Sequence, residues 1–137
     1  MSRQPSSPTL PLIRACIAPL GGLRDGAPAG ASRDVLLLVD TGASNSCIAN
    51  DIAFDLGLDL LRRDVVTTPG GITELNFYMA DIGIMPTDGT ALHRHEILVG
   101  GSLGRSPEYH GLLGRDLLAH YHFEMTRSRA FRLTMPA

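Results

Sequence analysis

Val35-Leu36-Leu37-Leu38-Val39-Asp40-Thr41-Gly42-Ala43-Ser44 is the stretch whose reading decides the fold. Five apolar residues run without a break into Asp40, and Gly42 follows at once. A short aliphatic run ending in glycine fits a buried strand of about five or six residues. A carboxylate at the end of such a strand has two readings. It is a turn residue whose side chain bonds the backbone, or a reacting group whose pKa is tuned by burial and neighbouring charge.

On either side of this stretch the chain reads as short strands separated by turns. Leu12 to Ala18 is a first strand, Pro19 to Ser32 a turn-rich connection, and Arg33 to Asp40 the central strand. Asn45 to Ala49 resumes as a short strand. Asn50 then caps a short helix, with Asp51 in its first turn and Gly57 at its stop. Asp64 to Thr68 and Ile72 to Asp81 flank Pro69-Gly70-Gly71, a hairpin signal. A second hairpin, Ile82 to Met85 and Leu92 to Val99, turns at Pro86-Thr87-Asp88-Gly89, and Gly100 to Glu108 is a loop. Tyr109 to Gly114 is a strand ending in Gly111-Leu112-Leu113-Gly114, and Arg115 to Tyr121 a helix. His122 to Thr126 and Ala130 to Thr134 close the chain as a hairpin around Arg127-Ser128. Fifteen Gly and nine Pro agree with so many turns. The tally predicts an all-β barrel, closed or partly open, with one or two short helices.

The bulk numbers narrow the function. With 137 residues the chain is one domain with a thin core. Its formal net charge of -2 argues against nucleic acid as a partner. All 12 basic residues are Arg, so no lysine Schiff base, P-loop lysine or lysine base exists. Cys16 and Cys47 are too few for a disulfide framework and lack metal spacing. There is no long apolar run for a membrane span. Pro11, Arg14 and Pro19 break up the only leader-like stretch, which predicts a soluble, cytoplasmic protein. Met1 to Pro11, rich in Ser and Pro, reads as a flexible tail before a domain at 12–137.

The chain resembles the retropepsin-like aspartic proteases, the single-domain relatives of pepsin typified by retroviral enzymes. The resemblance rests on Leu37-Leu38-Val39-Asp40-Thr41-Gly42-Ala43-Ser44 and on Gly111-Leu112-Leu113-Gly114-Arg115-Asp116-Leu117-Leu118, with a glycine-bearing hairpin between them. It implies a barrel of the acid-protease type and an endopeptidase that needs no cofactor. Asp40 is then the catalytic carboxylate, and Thr41, Gly42, Ala43 and Ser44 form its loop. Thr41 bonds across a twofold axis, Gly42 lets backbone approach substrate, and Ser44 bonds the outer oxygen of Asp40. Pro69, Gly70, Gly71 and Ile72 form a flap over the substrate. The strand carrying Leu112, Leu113 and Gly114 crosses behind the loop, and Arg115 and Asp116 open the following helix. Peptide hydrolysis of this kind needs two carboxylates sharing one proton, and the chain has one Asp-Thr-Gly. The second must come from a second copy, which makes the expected partner a homodimer and the substrate a protein or peptide.

This sequence departs from the retroviral pattern in two places. Retroviral enzymes carry Asp at the position of Ser44, and often at that of Asn45, where it pairs with the Arg of the Gly-Arg motif. Its loss leaves Arg115 to cap carbonyls or to pair with another acid. Retroviral dimers also interleave their terminal strands, whereas this chain has a Pro-rich start and Pro136 near its end. Competing readings are a catalytically silent dimeric β module that binds protein, and a metal site built from His93 and His95 with His120 and His122. The latter lacks the usual partner spacing, so no metal is expected.

Overall fold

The computed structural model describes residues 10–23, 30–89, 91–102, 106–126 and 130–136. The predicted turn at Arg127-Ser128, and the tail before Leu10, lie outside the described residues. Strand β1 (Leu12–Pro19) shows how the wall is made. Alternate side chains face opposite ways, so Ile13, Ala15 and Ile17 point into the core while Arg14 is exposed. β1 pairs antiparallel with β2 (Arg33–Val39) on one side and with the second half of β5 (Gly71–Ile84) on the other. β2 runs parallel to β7 (Gly111–Leu113), which is antiparallel to β3 (Cys47–Ala49). β3 runs parallel to β6 (His93–Ser102), and β6 returns antiparallel to β5. The ring β1-β2-β7-β3-β6-β5 closes into a six-stranded barrel, with β4 (Asp59–Thr68) paired to the first half of β5 outside it.

Two short helices, α1 (Asn50–Asp55) and α2 (Arg115–Leu118), follow β3 and β7. β8 (His122–Met125) and β9 (Phe131–Thr134) form a separate hairpin. This hairpin sends Leu133 into the core, and Thr87 bonds both the N–H and the carbonyl of Leu133. Val35, Leu37, Val39, Ile48, Val99 and Leu113 fill the barrel. Each fully buried aliphatic chain contributes about 1.5–3 kcal/mol by leaving water. No helix of the described residues is long and apolar enough to cross a membrane.

The structure corrects several expected boundaries. Ile72 to Asp81 and Ile82 to Met85 are one strand, β5, because its two halves serve different neighbours and the backbone never turns. β4 starts at Asp59 rather than Asp64, with a bulge between Leu60 and Arg62. Gly100 and Gly101 belong to β6, not to a loop, and pair with Cys47 and Ile48 of β3. β7 holds only Gly111–Leu113, and α2 stops at Leu118. Asn50 is not a cap: it is the first residue of α1, and its Oδ1 accepts from the Tyr78 hydroxyl at 3.3 Å. The stop at Gly57 is as expected. Gly57 has φ 64°, its N–H bonds Phe54 O, and Leu58 N–H bonds Ala53 O, a Schellman arrangement.

Candidate active site

Asp40 leaves β2 as the barrel wall ends. Its main-chain N–H still donates to Leu113 O at 3.0 Å, so the β2–β7 ladder continues one residue into the loop. Its Oδ1 accepts the Gly42 N–H at 2.9 Å, and its carbonyl accepts from Ala43 N–H at 3.2 Å. The carboxylate is therefore oriented by its own turn. Asp40 is half-buried, whereas Thr41, Gly42 and Ser44 are exposed. Thr41 makes no side-chain hydrogen bond among the described residues.

The second motif lies directly beneath this loop. β7 is wedged between β2 and β3, and Gly111 is required there because a Cβ would overlap the Cys47 carbonyl. Gly114 is required for the same reason: a Cβ would sit 2.8 Å from Asn45 O and 2.9 Å from Ala43 O. Arg115 N–H then donates to Ala43 O at 2.8 Å. The sequence-predicted residues Asp40 to Ser44 and Leu112 to Asp116 thus come together as one assembly.

Ser46 binds that assembly, and the sequence reading passed over it. Its hydroxyl donates to Asp116 Oδ1 at 2.7 Å and accepts from Gly114 N–H at 2.9 Å. Its main-chain N–H reaches both oxygens of Asp116 at 3.0 Å, and Leu117 N–H donates to Asp116 Oδ1 at 2.8 Å. Asp116 therefore anchors the loop rather than facing substrate. The signal was present: on a strand that buries Ile48, alternation places Ser46 inside too, and a buried hydroxyl needs partners.

Ser44 differs from expectation. Its hydroxyl accepts from Arg115 Nη2 at 2.9 Å, so it is engaged by Arg115 and not by Asp40. A serine accepts from the guanidinium at the position where an Asp would have formed an ion pair. Cys47 lies behind the loop, and its pKa is pushed up to about 11, first by burial and then by the charges of Asp116 and Asp40. The thiol stays protonated and is no nucleophile.

Pro69 and Gly70 form the two-residue tip of the β4–β5 hairpin, with Thr68 paired to Gly71. Gly71 has φ 118°, a conformation other residues adopt only with strain. Ile72 is 77 % exposed and Val65 67 %, so the hairpin presents apolar side chains to solvent. Pro69, Gly70, Gly71 and Ile72 thus lie at the free end of a hairpin whose β4 stands outside the ring.

The histidines take other roles. His110 Nδ1 accepts Leu36 N–H at 2.8 Å, while its main-chain N–H donates to Leu36 O at 2.8 Å. It acts as one more rung between β2 and β7. His95 Nε2 lies 2.6 Å from the Tyr121 hydroxyl, and its ring packs 5.0 Å from that of His120. His122 faces Glu124 instead. Among the described residues, no group of three or more His, Cys, Asp or Glu could hold a metal ion.

Two concavities lie elsewhere on the chain. One of about 350 Å³ is lined by Arg14, Cys16, Asp34, Leu36, Met85, Leu92 and His110 among others, and one of about 400 Å³ by Cys47, Ser102, Tyr109 and Leu112 among others. Neither is lined by Asp40, Thr41 or Gly42. The Asp40 loop instead opens to solvent at the barrel's end. No family model and no curated protein matches the chain.

Proposed function

We infer that the protein is an aspartic endopeptidase of the retropepsin-like kind, acting as a homodimer with one Asp40 from each copy. The observation that carries this reading is the loop Asp40–Ser44 resting on the crossing Leu112–Asp116 segment. That support holds a carboxylate in a fixed orientation, with Thr41 and Gly42 turned outward. A single copy supplies half of the chemistry. Two Asp40 carboxylates brought to about 3 Å across a twofold axis cannot both ionise, so they share a proton. One then takes a proton from water as it attacks the peptide carbonyl, and the other donates to the carbonyl oxygen. The Thr41 hydroxyl, which makes no hydrogen bond among the described residues, would bond across the axis. The β4–β5 hairpin would cover the bound peptide and exclude water.

The test is cleavage of unstructured proteins from acidic to neutral pH by wild type and by Asp40→Asn. Asparagine keeps an oxygen to accept the Gly42 N–H, so the loop is preserved while the shared proton is lost. Activity should fall about a hundredfold or more, and sedimentation should show a dimer. An Asp40→Asn protein as active as wild type, or an active monomer, overturns the reading. A confirmed dimer that cleaves nothing at any pH would instead be a binding module.

A further inference from the structure

Arg115 fixes a guanidinium on the rim of the loop that carries Asp40. Its main chain is tied to Ala43 O at 2.8 Å and its Nη2 to Ser44 Oγ at 2.9 Å. Arg115, Ser44 and Asn45 are all exposed. A guanidinium has five N–H donors in a planar fork. Among the described residues, Ser44 alone accepts from it, and Ser44 is neutral. The neighbouring Asp116 forms no ion pair with it; its oxygens are directed to Ser46 and to Leu117 N–H. None of the ion pairs among the described residues includes Arg115. A carboxylate at position 44 would have closed the fork. A serine steadies the fork and leaves the rest of it open, in the geometry that receives a carboxylate through two parallel bonds.

We propose that Arg115 makes the protein select peptides with an acidic side chain beside the scissile bond, its guanidinium receiving that Glu or Asp carboxylate. This rests on the endopeptidase reading above and supplies its substrate class. In a twofold dimer the two guanidiniums occupy equivalent places on either side of the paired loops, so the preference applies at two symmetry-related positions of the peptide.

The experiment compares kcat/KM for peptide pairs that differ only by Glu or Gln at each position flanking the cleaved bond. With wild type, Glu is favoured about tenfold at such positions, and the ratio shrinks at high salt. The ratio goes to about one in Arg115→Gln, inverts in Arg115→Glu and is partly kept in Arg115→Lys. An unchanged ratio in Arg115→Gln overturns the proposal. So does an equal loss on both peptides with a weakened dimer, since a carboxylate of the second copy would then fill the fork. Binding of the same pairs to the Asp40→Asn protein, read by fluorescence anisotropy, separates the two inferences. If wild type cleaves nothing yet the Glu peptide binds about tenfold tighter, the endopeptidase reading fails and the Arg115 assignment stands. Equal binding of the two peptides sinks the Arg115 assignment whatever the cleavage result.

Discussion

At Ser46 a single hydroxyl satisfies two groups that the fold buries together, the Gly114 N–H and an oxygen of Asp116, and its side chain is 1 % exposed. Ser46→Ala would leave that N–H without a partner and remove one bond from a carboxylate. A buried polar group left unpaired costs about 1–3 kcal/mol. We expect Ser46→Ala to lower the unfolding free energy by that amount, read as a lower denaturation midpoint, and to reduce the proposed activity through the position of the Asp40 loop. A Thr at this position keeps the hydroxyl but adds a methyl to a filled space, so it should recover only part of the loss. Equal stability of Ser46→Ala and wild type in a denaturant titration would refute the anchoring role.

At the scale of elements, the glycines separate two kinds of constraint. A Cβ at Gly111 would overlap the Cys47 carbonyl, and backbone of β2 on the other side leaves β7 no room to retreat. Gly71 has open space around it, and only its φ of 118° resists a side chain. Gly71→Ala should therefore cost about 1–2 kcal/mol of backbone strain. Gly111→Ala should cost more than about 4 kcal/mol, the range that marks a disrupted structural feature. Comparing the two unfolding free energies tests this ranking. The difference also shows what was legible in the sequence. Strand alternation, Gly57 as a helix stop and the pairing of Asp40-Thr41-Gly42 with Leu112-Leu113-Gly114 are local patterns that a sequence displays. Whether Gly100 and Gly101 sit in a loop or in a strand is not local. They belong to β6 because β3, from far earlier in the chain, pairs with them, and a Cβ on Gly100 would sit 3.2 Å from Cys47 Sγ of that strand. The same remoteness hid the double service of β5 and the Ser44–Arg115 bond. Ser46 was the exception, since alternation alone pointed inward.

Over the whole molecule, half-buried His95 and fully buried Asp81 set how the fold meets acid. His95 is held neutral: burial, then the nearby charges of His120 and His93, lower its pKa below the ordinary imidazole value, and Tyr121 faces it on the other side. The unfolded chain thus binds a proton more readily than the folded one, so stability falls as pH drops below about 6.5 and stops falling once His95 is charged in both states. Asp81 is fully buried. Burial raises its pKa, but the two bonds from Arg94 and the N–H groups of Leu23 and Gly21 outweigh this and hold it below the ordinary carboxylate value. Its contribution is present above about pH 3.9 and is lost as pH falls through the folded-state value. Two acid-sensitive steps should appear in a melting-temperature profile. His95→Gln should remove the upper step and leave the lower one. A profile whose upper step survives in His95→Gln would assign it to another group.

β7 has a consequence for how such a chain is made. It is three residues long and lies between strands that the ribosome would have released long before it, with Ser46 to Gly114 spanning 68 positions and Leu36 to His110 spanning 74. Closing loops of that length is slow and comes late in folding. Until Gly111 to Asp116 emerges, Asp40 has no floor beneath it: no Leu113 carbonyl for its N–H, and no Asp116 to hold Ser46. A nascent or truncated chain ending before Gly111 therefore carries the Asp-Thr-Gly sequence without its geometry. Any reactivity of the loop is withheld until Gly111 to Asp116 has been made and has packed beneath it.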